Sequence, residues 1–182
     1  MRDRFNQIFL DNIAREGSDR LLQWITERSD FFVAPASTKY HSAFPGGLVK
    51  HSVAVYDRLI ANLSISSIKT NPSAESVAIV ALLHDLCKTN FYKLDTRNVK
   101  DSEGNWKAVP FYTIDDQVPF GHGEKSVWML QSFIKLSREE SMSIRWHMGD
   151  TEAAKVYRQY PLALMLHISD MQAAFLDEGE EE

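Results

Sequence analysis

The chain has 182 residues, of which 44% are hydrophobic and 11% aromatic, and this composition is typical of one folded globular domain with a sizeable core. Its single cysteine, Cys87, excludes an intrachain disulfide, and no apolar segment approaches the roughly 20 residues needed to cross a bilayer. The charged opening segment lacks a signal-peptide core and the net charge is −5, so we expect a cytoplasmic protein with no membrane partner and no broad nucleic-acid-binding surface.

Two short helices are predicted within residues 1–30. Apolar residues recur at near-helical spacing in "FNQIFLDNI" and again in "SDRLLQWITER", residues 18–28. The next segment, "FFVAPASTKYHSAFPGG", contains two prolines and two glycines and little periodicity. It is therefore predicted to be an ordered loop leading into a helix.

That helix is predicted to begin near Gly47 and to end near Ser64. Its apolar stripe includes Leu48 and Val55, and His51 falls three residues after the first and four before the second. We therefore expect the His51 side chain to point inward. Taken alone, such a histidine is more often a satisfied core or surface residue than a metal ligand.

A second helix is predicted over residues 73–89, and it raises the main question of the sequence. Seven consecutive apolar residues, 77–83, end in His84 and Asp85. Burying these two polar groups is costly unless a salt bridge or a metal ion compensates them. Adjacent helical side chains point about 100° apart and do not readily bond each other, which favours a shared external partner.

Residues 91–116 alternate polar and apolar side chains on both sides of "EGN", a pattern typical of a β-hairpin. Aromatic and basic residues in it are able to stack on a base and hold a phosphate, whereas the alternative is an exposed ribbon whose aromatics cover the helices. The segment holds four basic and five acidic residues, which does not favour a polyanion. The basic and aromatic candidates are Tyr92, Arg97, Lys100, Trp106 and Lys107.

Helical patterns resume from Gly123 and continue to the end of the chain. Ser137 and Glu140 have the spacing of a capping box, and "TEAAKVYRQ" and "PLALMLHISDMQAAFL" complete the predicted helices. The acidic ending, residues 179–182, is predicted to be a frayed tail, and residues 1–178 are predicted to form one domain.

Several polar residues on these later segments have open alternatives. His122 lies in "GHG", which is also compatible with a plain turn whose glycines supply positive φ. His147 follows a helix and is able to cap its carboxyl end. Asp170 is equally compatible with a salt bridge to an arginine such as Arg145. For His167, three residues before Asp170, support of a ligand or core packing is the expected role.

Three motifs, "FPGGLVKHS", "ALLHDLCK" and "LHISDMQA", together resemble the HD superfamily of metal-dependent phosphohydrolases. The first is most similar to the branch that includes HD-domain 3′-to-5′ exoribonucleases, and the histidines of "FGHGEKS" and "RWHMG" are similar to branches with two metals. The resemblance implies an all-α HD-domain helical bundle with one inserted β-hairpin at about residues 91–116. The signature-bearing core is residues 38–178, preceded by the helices of residues 1–30.

Carried over by position, the resemblance implies a binuclear centre in which Asp85 bridges two metals. The expected cofactors are one or two divalent ions per chain, among Mn, Fe, Ni, Co, Zn and Mg. Cys87 is expected to be a small buried side chain rather than a ligand. The expected first-metal ligands are His51, His84, Asp85 and Asp170, and the expected second-metal ligands are His122 and His147.

The resemblance also implies a function, hydrolysis of a phosphate ester of a nucleotide or an oligonucleotide end by hydroxide generated at the metal. Asp85 and Lys88 are the expected catalytic residues, with Lys88 on the helix face of His84 and near a substrate phosphate oxygen. His41 is a further candidate for contact with substrate phosphate. The alternatives are a catalytically silent nucleotide-binding sensor that keeps the metal shell, and an exonuclease subunit that needs a partner.

Overall fold

A computed structural model describes residues 1–65, 67 and 69–177, and it is 53% helical. The predicted acidic tail, residues 179–182, lies outside the described residues. No helix in the described part of the chain is both long and apolar enough to span a membrane. The α-helices are α1 (Arg2–Asn12), α2 (Ser18–Glu27), α3 (Gly47–Leu63), α4 (Ala74–Leu83), α5 (His122–Gln131), α6 (Arg138–Arg145), α7 (Ala153–Gln159) and α8 (Pro161–Gln172).

The all-α class predicted from the sequence is wrong, because the structure contains a two-stranded antiparallel sheet. Strands β1 (Tyr92–Lys100) and β2 (Trp106–Ile114) pair along their whole nine-residue lengths. Between them, the Asp101 carboxylate accepts hydrogen bonds from two backbone N–H groups of the turn, and Gly104 has a φ of +85°. The chain is therefore a helical fold with an inserted hairpin.

Helices α3, α4 and α8 form the centre of the fold. Helix α3 packs against α4 and α8, and α4 also packs against α1 and α6. All seven residues from 77 to 83 are buried, so α4 is apolar on every side. Helix α3 begins at Gly47 as predicted, and His51 lies fully buried on its apolar face.

Helix α4 ends earlier than the sequence predicts, at Leu83 rather than near residue 89. The backbone of Asp85 leaves the helical region, and a 3₁₀ turn (Leu86–Lys88) follows. Because side chains three apart eclipse in a 3₁₀ turn, Lys88 lies above Asp85. The prediction of one continuous helix over residues 73–89 is therefore wrong.

Two glycines allow chain segments to approach each other closely near the histidines. A Cβ on Gly47 would lie 1.9 Å from the carbonyl oxygen of Ser42, and a Cβ on Gly123 would lie 2.4 Å from that of Arg145. The second approach brings the start of α5 against the end of α6. Neither Gly121 nor Gly123 has a positive φ, so the plain-turn alternative for this segment is wrong.

Candidate metal centre

Six predicted site residues converge around the carboxyl end of α4. The imidazole centroids of His51 and His84 are 5.3 Å apart, those of His84 and His147 are 4.8 Å apart, and those of His147 and His122 are 5.2 Å apart. His122 is one-third exposed, and the others are buried. The converging residues are His51, His84, Asp85, His122, His147 and Asp170.

His84 and His147 occupy the same local geometry at the ends of two different helices. His84 Nδ1 lies 2.9 Å from the carbonyl oxygen of Ala81, and His147 Nδ1 lies 2.7 Å from that of Ile144. A carbonyl oxygen only accepts, so each Nδ1 carries the proton and donates it. In the neutral ring, each Nε2 then directs a lone pair into the centre, which is how metal-ligating histidines are commonly held.

The Nε2 atom of His147 is buried and has no hydrogen-bond partner among the described residues. Asp85 Oδ1 lies 3.5 Å from it, and Asp85 Oδ2 lies 3.5 Å from His84 Nε2. Burial lowers the pKa of His84, so this ring is neutral. Lone pairs therefore face carboxylate oxygens across both gaps, and a cation between them would satisfy all of these acceptors.

Asp85 is at the centre of the cluster and directs one oxygen to each side of it. Oδ1 lies 2.7 Å from His122 Nε2, and Oδ2 lies 2.7 Å from Lys88 Nζ. Burial alone would raise the pKa of Asp85, but the Lys88 ammonium and the hydrogen bond with His122 hold it well below its ordinary value. The carboxylate is therefore ionised, as a ligand must be.

Asp170 on α8 pairs with His51 on α3, not with Arg145. Asp170 Oδ1 lies 3.0 Å from His51 Nε2, whereas Arg145 pairs with Glu124. Burial would raise the pKa of Asp170, but the hydrogen bond from His51 lowers it. The salt bridge to Arg145 that the sequence left open is therefore not formed.

The ligating atoms fall into three overlapping groups, and within each group they lie within 4.8 Å of one another. Nitrogen and carboxylate donors at this spacing fit a transition-metal ion. The buried groups could therefore hold a metal. They are His51, His84 and Asp170; His84, Asp85 and His147; and Asp85, Cys87 and His122.

Cys87 lies closer to the centre than the sequence indicated. Its Sγ is 3.4 Å from Nδ1 of His122, and its backbone N–H donates to the Ser126 hydroxyl. Burial raises the pKa of the thiol to about 12. A continuous helix would have turned this side chain elsewhere, so its proximity depends on the 3₁₀ turn, which the sequence analysis did not predict.

A cavity of about 790 Å³ opens onto the centre, within the size range of ligand pockets. Lys88 lines it, and although burial would lower the pKa of this ammonium, Asp85 raises it, so Lys88 stays protonated. The apolar part of the wall includes Tyr92, Met171 and Phe175. Further lining residues are Asp85, His122 and Asp170 from the centre, and His41, whose ring centroid lies 4.9 Å from that of His51.

Two residues outside the cluster hold the segment that carries His147. His167 Nδ1 donates to the carbonyl oxygen of His147 at 2.6 Å, and the Tyr157 hydroxyl donates to that of Trp146 at 3.0 Å. The rings of Tyr157 and His167 stack with centroids 5.6 Å apart. His167 thus supports a candidate ligand, as expected, whereas Tyr157 was missed because no local pattern marks it.

Comparison of the chain with protein-family models, with curated proteins and with solved structures finds no match. The resemblance to the HD superfamily therefore stays a prediction carried by the three quoted motifs.

Proposed function

We propose that the protein is a metal-dependent phosphohydrolase of the HD superfamily that acts on a phosphate ester of a nucleotide or an oligonucleotide end. The observation that carries the proposal is the arrangement around the ionised Asp85 carboxylate. The Nε2 atom of His147, which has no hydrogen-bond partner among the described residues, lies 3.5 Å from Oδ1, and the Nε2 atom of the neutral His84 ring lies 3.5 Å from Oδ2. This cluster lies at the wall of a cavity large enough for a nucleotide.

The donor set supports two adjacent divalent ions, among Mn, Fe, Ni, Co, Zn and Mg. A pair of such ions supplies a water-derived nucleophile and neutralises charge on the phosphate oxygens. Asp85 directs Oδ1 toward His122 and His147, at 2.7 and 3.5 Å, and Oδ2 toward His84 and His51, at 3.5 and 3.8 Å, so its carboxylate is able to bridge two ions. One ion would be held by His51, His84, Asp85 and Asp170, and the other by Asp85, His122 and His147.

The cavity wall supports an anionic substrate with an apolar or aromatic part. Two lysines, Lys88 and Lys39, line it and carry positive charge, and His41 lines it as well. Lys88 is held next to Asp85, from which it is able to contact a phosphate oxygen and offset developing charge. Tyr92 and Phe175 provide ring faces for a base.

The experiment is hydrolysis of p-nitrophenyl phosphate and bis(p-nitrophenyl) phosphate with Mn, measured beside metal content. Asp85→Ala should lose both bound metal and turnover while its circular dichroism spectrum stays that of the wild type. The matched control is Asp19→Ala, at an exposed aspartate in the first turn of α2, which should leave both unchanged.

Lys88→Ala separates catalysis from metal binding. It should weaken hydrolysis and keep the metal, and loss of the metal in this variant would show that Lys88 has a different role. A wild type that binds metal and is stabilised by nucleotides, yet releases no product from any ester, would favour the silent sensor.

A further inference from the structure

The hairpin has two chemically different faces. In a paired antiparallel ribbon, opposite residues share a face and successive residues alternate between faces. The register therefore defines a front face made of Tyr92, Leu94, Thr96, Asn98 and Lys100 with Ile114, Tyr112, Pro110, Ala108 and Trp106. The back face is made of Lys93, Asp95, Arg97 and Val99 with Thr113, Phe111, Val109 and Lys107.

The front face is continuous with the cavity. Tyr92 and Ile114, the first pair of the ribbon, line the cavity, and the Tyr92 hydroxyl donates to the carbonyl oxygen of Ala36 in the loop before α3. The last pair, Lys100 and Trp106, lies eight residues further along each strand. At about 3.3 Å per residue, the face extends roughly 26 Å from the cavity.

Large apolar side chains on the front face are exposed to solvent. Leu94 is 62% exposed, Ile114 is 62% exposed and Trp106 is 69% exposed. On the back face, Phe111 is half-buried beneath the Arg97 guanidinium, which lies 5.2 Å from the ring centroid. Trp106 therefore does not cover the helices, and the covering role that the sequence left open does not apply to it.

Charge is also divided between the two faces. Of the ten front-face residues, all of them described, Lys100 alone is charged, and none carries a carboxylate. Asp95 is on the back face, Asp101 and Glu103 are in the turn, and Asp115 and Asp116 follow the end of β2. Although residues 91–116 hold four basic and five acidic residues, none of the acidic residues lies on the front face.

We propose that the front face binds the single-stranded continuation of an oligonucleotide whose end lies in the cavity. This inference rests on the proposed function and specifies its substrate class. Tyr112 and Trp106 offer ring faces for bases, Lys100 offers a charge for a phosphate, and Thr96 and Asn98 offer hydrogen bonds between them. The length suits about 4 nucleotides, at the lower end of single-strand site sizes.

Two features favour a single strand over a protein strand or a duplex. Pro110 lacks an N–H, so β2 is poorly suited to pair with an added protein strand along its free edge. Exposed rings bind base faces, and a single strand exposes these faces whereas a duplex stacks them internally.

The experiment compares kcat/KM for bis(p-nitrophenyl) phosphate with kcat/KM for single-stranded oligonucleotides of two to twelve nucleotides. In the wild type, kcat/KM should rise with oligonucleotide length and then level off. Trp106→Ala should lower the ratio of the twelve-nucleotide value to the small-substrate value roughly tenfold, as expected for loss of one stacked base.

Lys100 and Lys107 provide a matched pair, because both are exposed near the turn and they lie on opposite faces. Lys100→Ala should lower the oligonucleotide value and weaken its dependence on salt, whereas Lys107→Ala should change neither. Equal losses in both variants, or a wild-type value independent of length, would overturn the inference.

Fluorescence anisotropy of a labelled twelve-nucleotide strand decides the same question without turnover. Wild-type binding that Trp106→Ala weakens and Lys107→Ala preserves supports the front face as the strand site. If the wild type hydrolyses the small diester and binds no strand, the inference fails and the proposed function stands. If it binds the strand through Trp106 and hydrolyses nothing, the proposed function fails instead. Self-association that Trp106→Ala abolishes, without strand binding, would assign the face to protein contact.

Discussion

Helix α4 contacts a buried charged cluster at each end, and the two clusters differ in how their polar atoms are partnered. At the amino end, Glu140 is 1% exposed and accepts from both terminal nitrogens of Arg15, at 2.8 and 2.9 Å. It also accepts from the Ser76 hydroxyl and from the backbone N–H of Ser137, which completes the predicted capping box. Each charged group in this cluster therefore has an opposite charge or a hydrogen-bond donor as its partner.

At the carboxyl end, two histidine nitrogens that are placed as acceptors face oxygens of the Asp85 carboxylate. The Nε2 atom of His147 lacks a hydrogen bond among the described residues, and His84 Nε2 lies 3.3 Å from His51 Nε2 and 3.5 Å from an Asp85 oxygen. Burial and charge are common to both ends, so neither marks function by itself. The mismatch of partners is what distinguishes a ligand site from a structural salt bridge.

Breaking the cluster of Arg15 and Glu140 at the amino end of α4 should have the largest effect on the free energy of unfolding and no effect on the candidate metal centre. Glu140→Gln removes the buried carboxylate that accepts from both terminal nitrogens of Arg15 and leaves Glu75 as the remaining carboxylate partner of Arg15, so we expect it to lower the free energy of unfolding by about 2 kcal/mol. Chemical denaturation measures this loss, and metal content should stay at the wild-type level.

Glu152→Gln is the control for this change, because it removes the carboxylate of an exposed pair with Lys155. It should lower the free energy of unfolding by less than about 1 kcal/mol. A comparable loss in both variants would show that the buried network contributes no more than a surface pair.

Removing a hydrogen bond that supports the histidine cluster at the carboxyl end of α4 should change the affinity for metal with little change in the free energy of unfolding. His167→Phe keeps a ring beside Tyr157 and removes the donor to the His147 carbonyl, and support of this kind is typically worth 10- to 100-fold in metal affinity. Competition with a chelator measures the affinity. Tyr157→Phe, which removes a donor to the neighbouring carbonyl instead, should have a smaller effect, and the reverse order would contradict the assigned roles.

The smallest effect expected is a pH dependence of the stabilisation that Glu140 and Glu75 contribute through Arg15. Burial alone would raise the pKa values of Glu140 and Glu75, but hydrogen bonds from Arg15 and from backbone N–H groups lower both below their ordinary value of 4.5. A carboxylate whose pKa is lower in the folded chain stabilises the fold above its unfolded pKa, and this stabilisation is lost as the pH falls through the folded value.

Denaturation of the wild type and of Glu140→Gln between pH 7 and pH 3 separates the contribution of Glu140 to the free energy of unfolding from the contributions of the other carboxylates. The stability difference between the two proteins should narrow below about pH 4.5, where Glu140 begins to protonate in the unfolded chain but not yet in the folded protein. A difference that stays constant over this range would mean that the charge of Glu140 does not matter.

Local signals in the sequence were sufficient for several parts of the fold. The glycine start of α3, the inward position of His51, the capping box at Ser137 and the hairpin turn each depend on neighbouring residues, and each lies where the pattern indicated. The all-α label was nevertheless wrong, because the predicted hairpin adds a two-stranded antiparallel sheet to the helices.

Features that depend on tertiary contacts were not predictable in the same way. Helix α4 ends at Leu83, where Asp85 pairs with Lys88 of the 3₁₀ turn that follows and with His122, which α5 brings there, and the run of apolar residues gave no sign of this end. The proximity of Cys87 to His122 follows from that turn. Periodicity placed the histidines on inner faces, but it did not determine which nitrogen of each ring points inward.

The most direct test is the metal content, by elemental mass spectrometry, of the wild type purified without added metal and of His122→Ala beside it. The central claim is that the carboxyl end of α4 is a metal centre, and it predicts about two metals per wild-type chain, falling to about one in the variant. Absence of metal from the wild type, even after Mn is supplied, would contradict the claim and leave His84 and Asp85 as a buried polar pair.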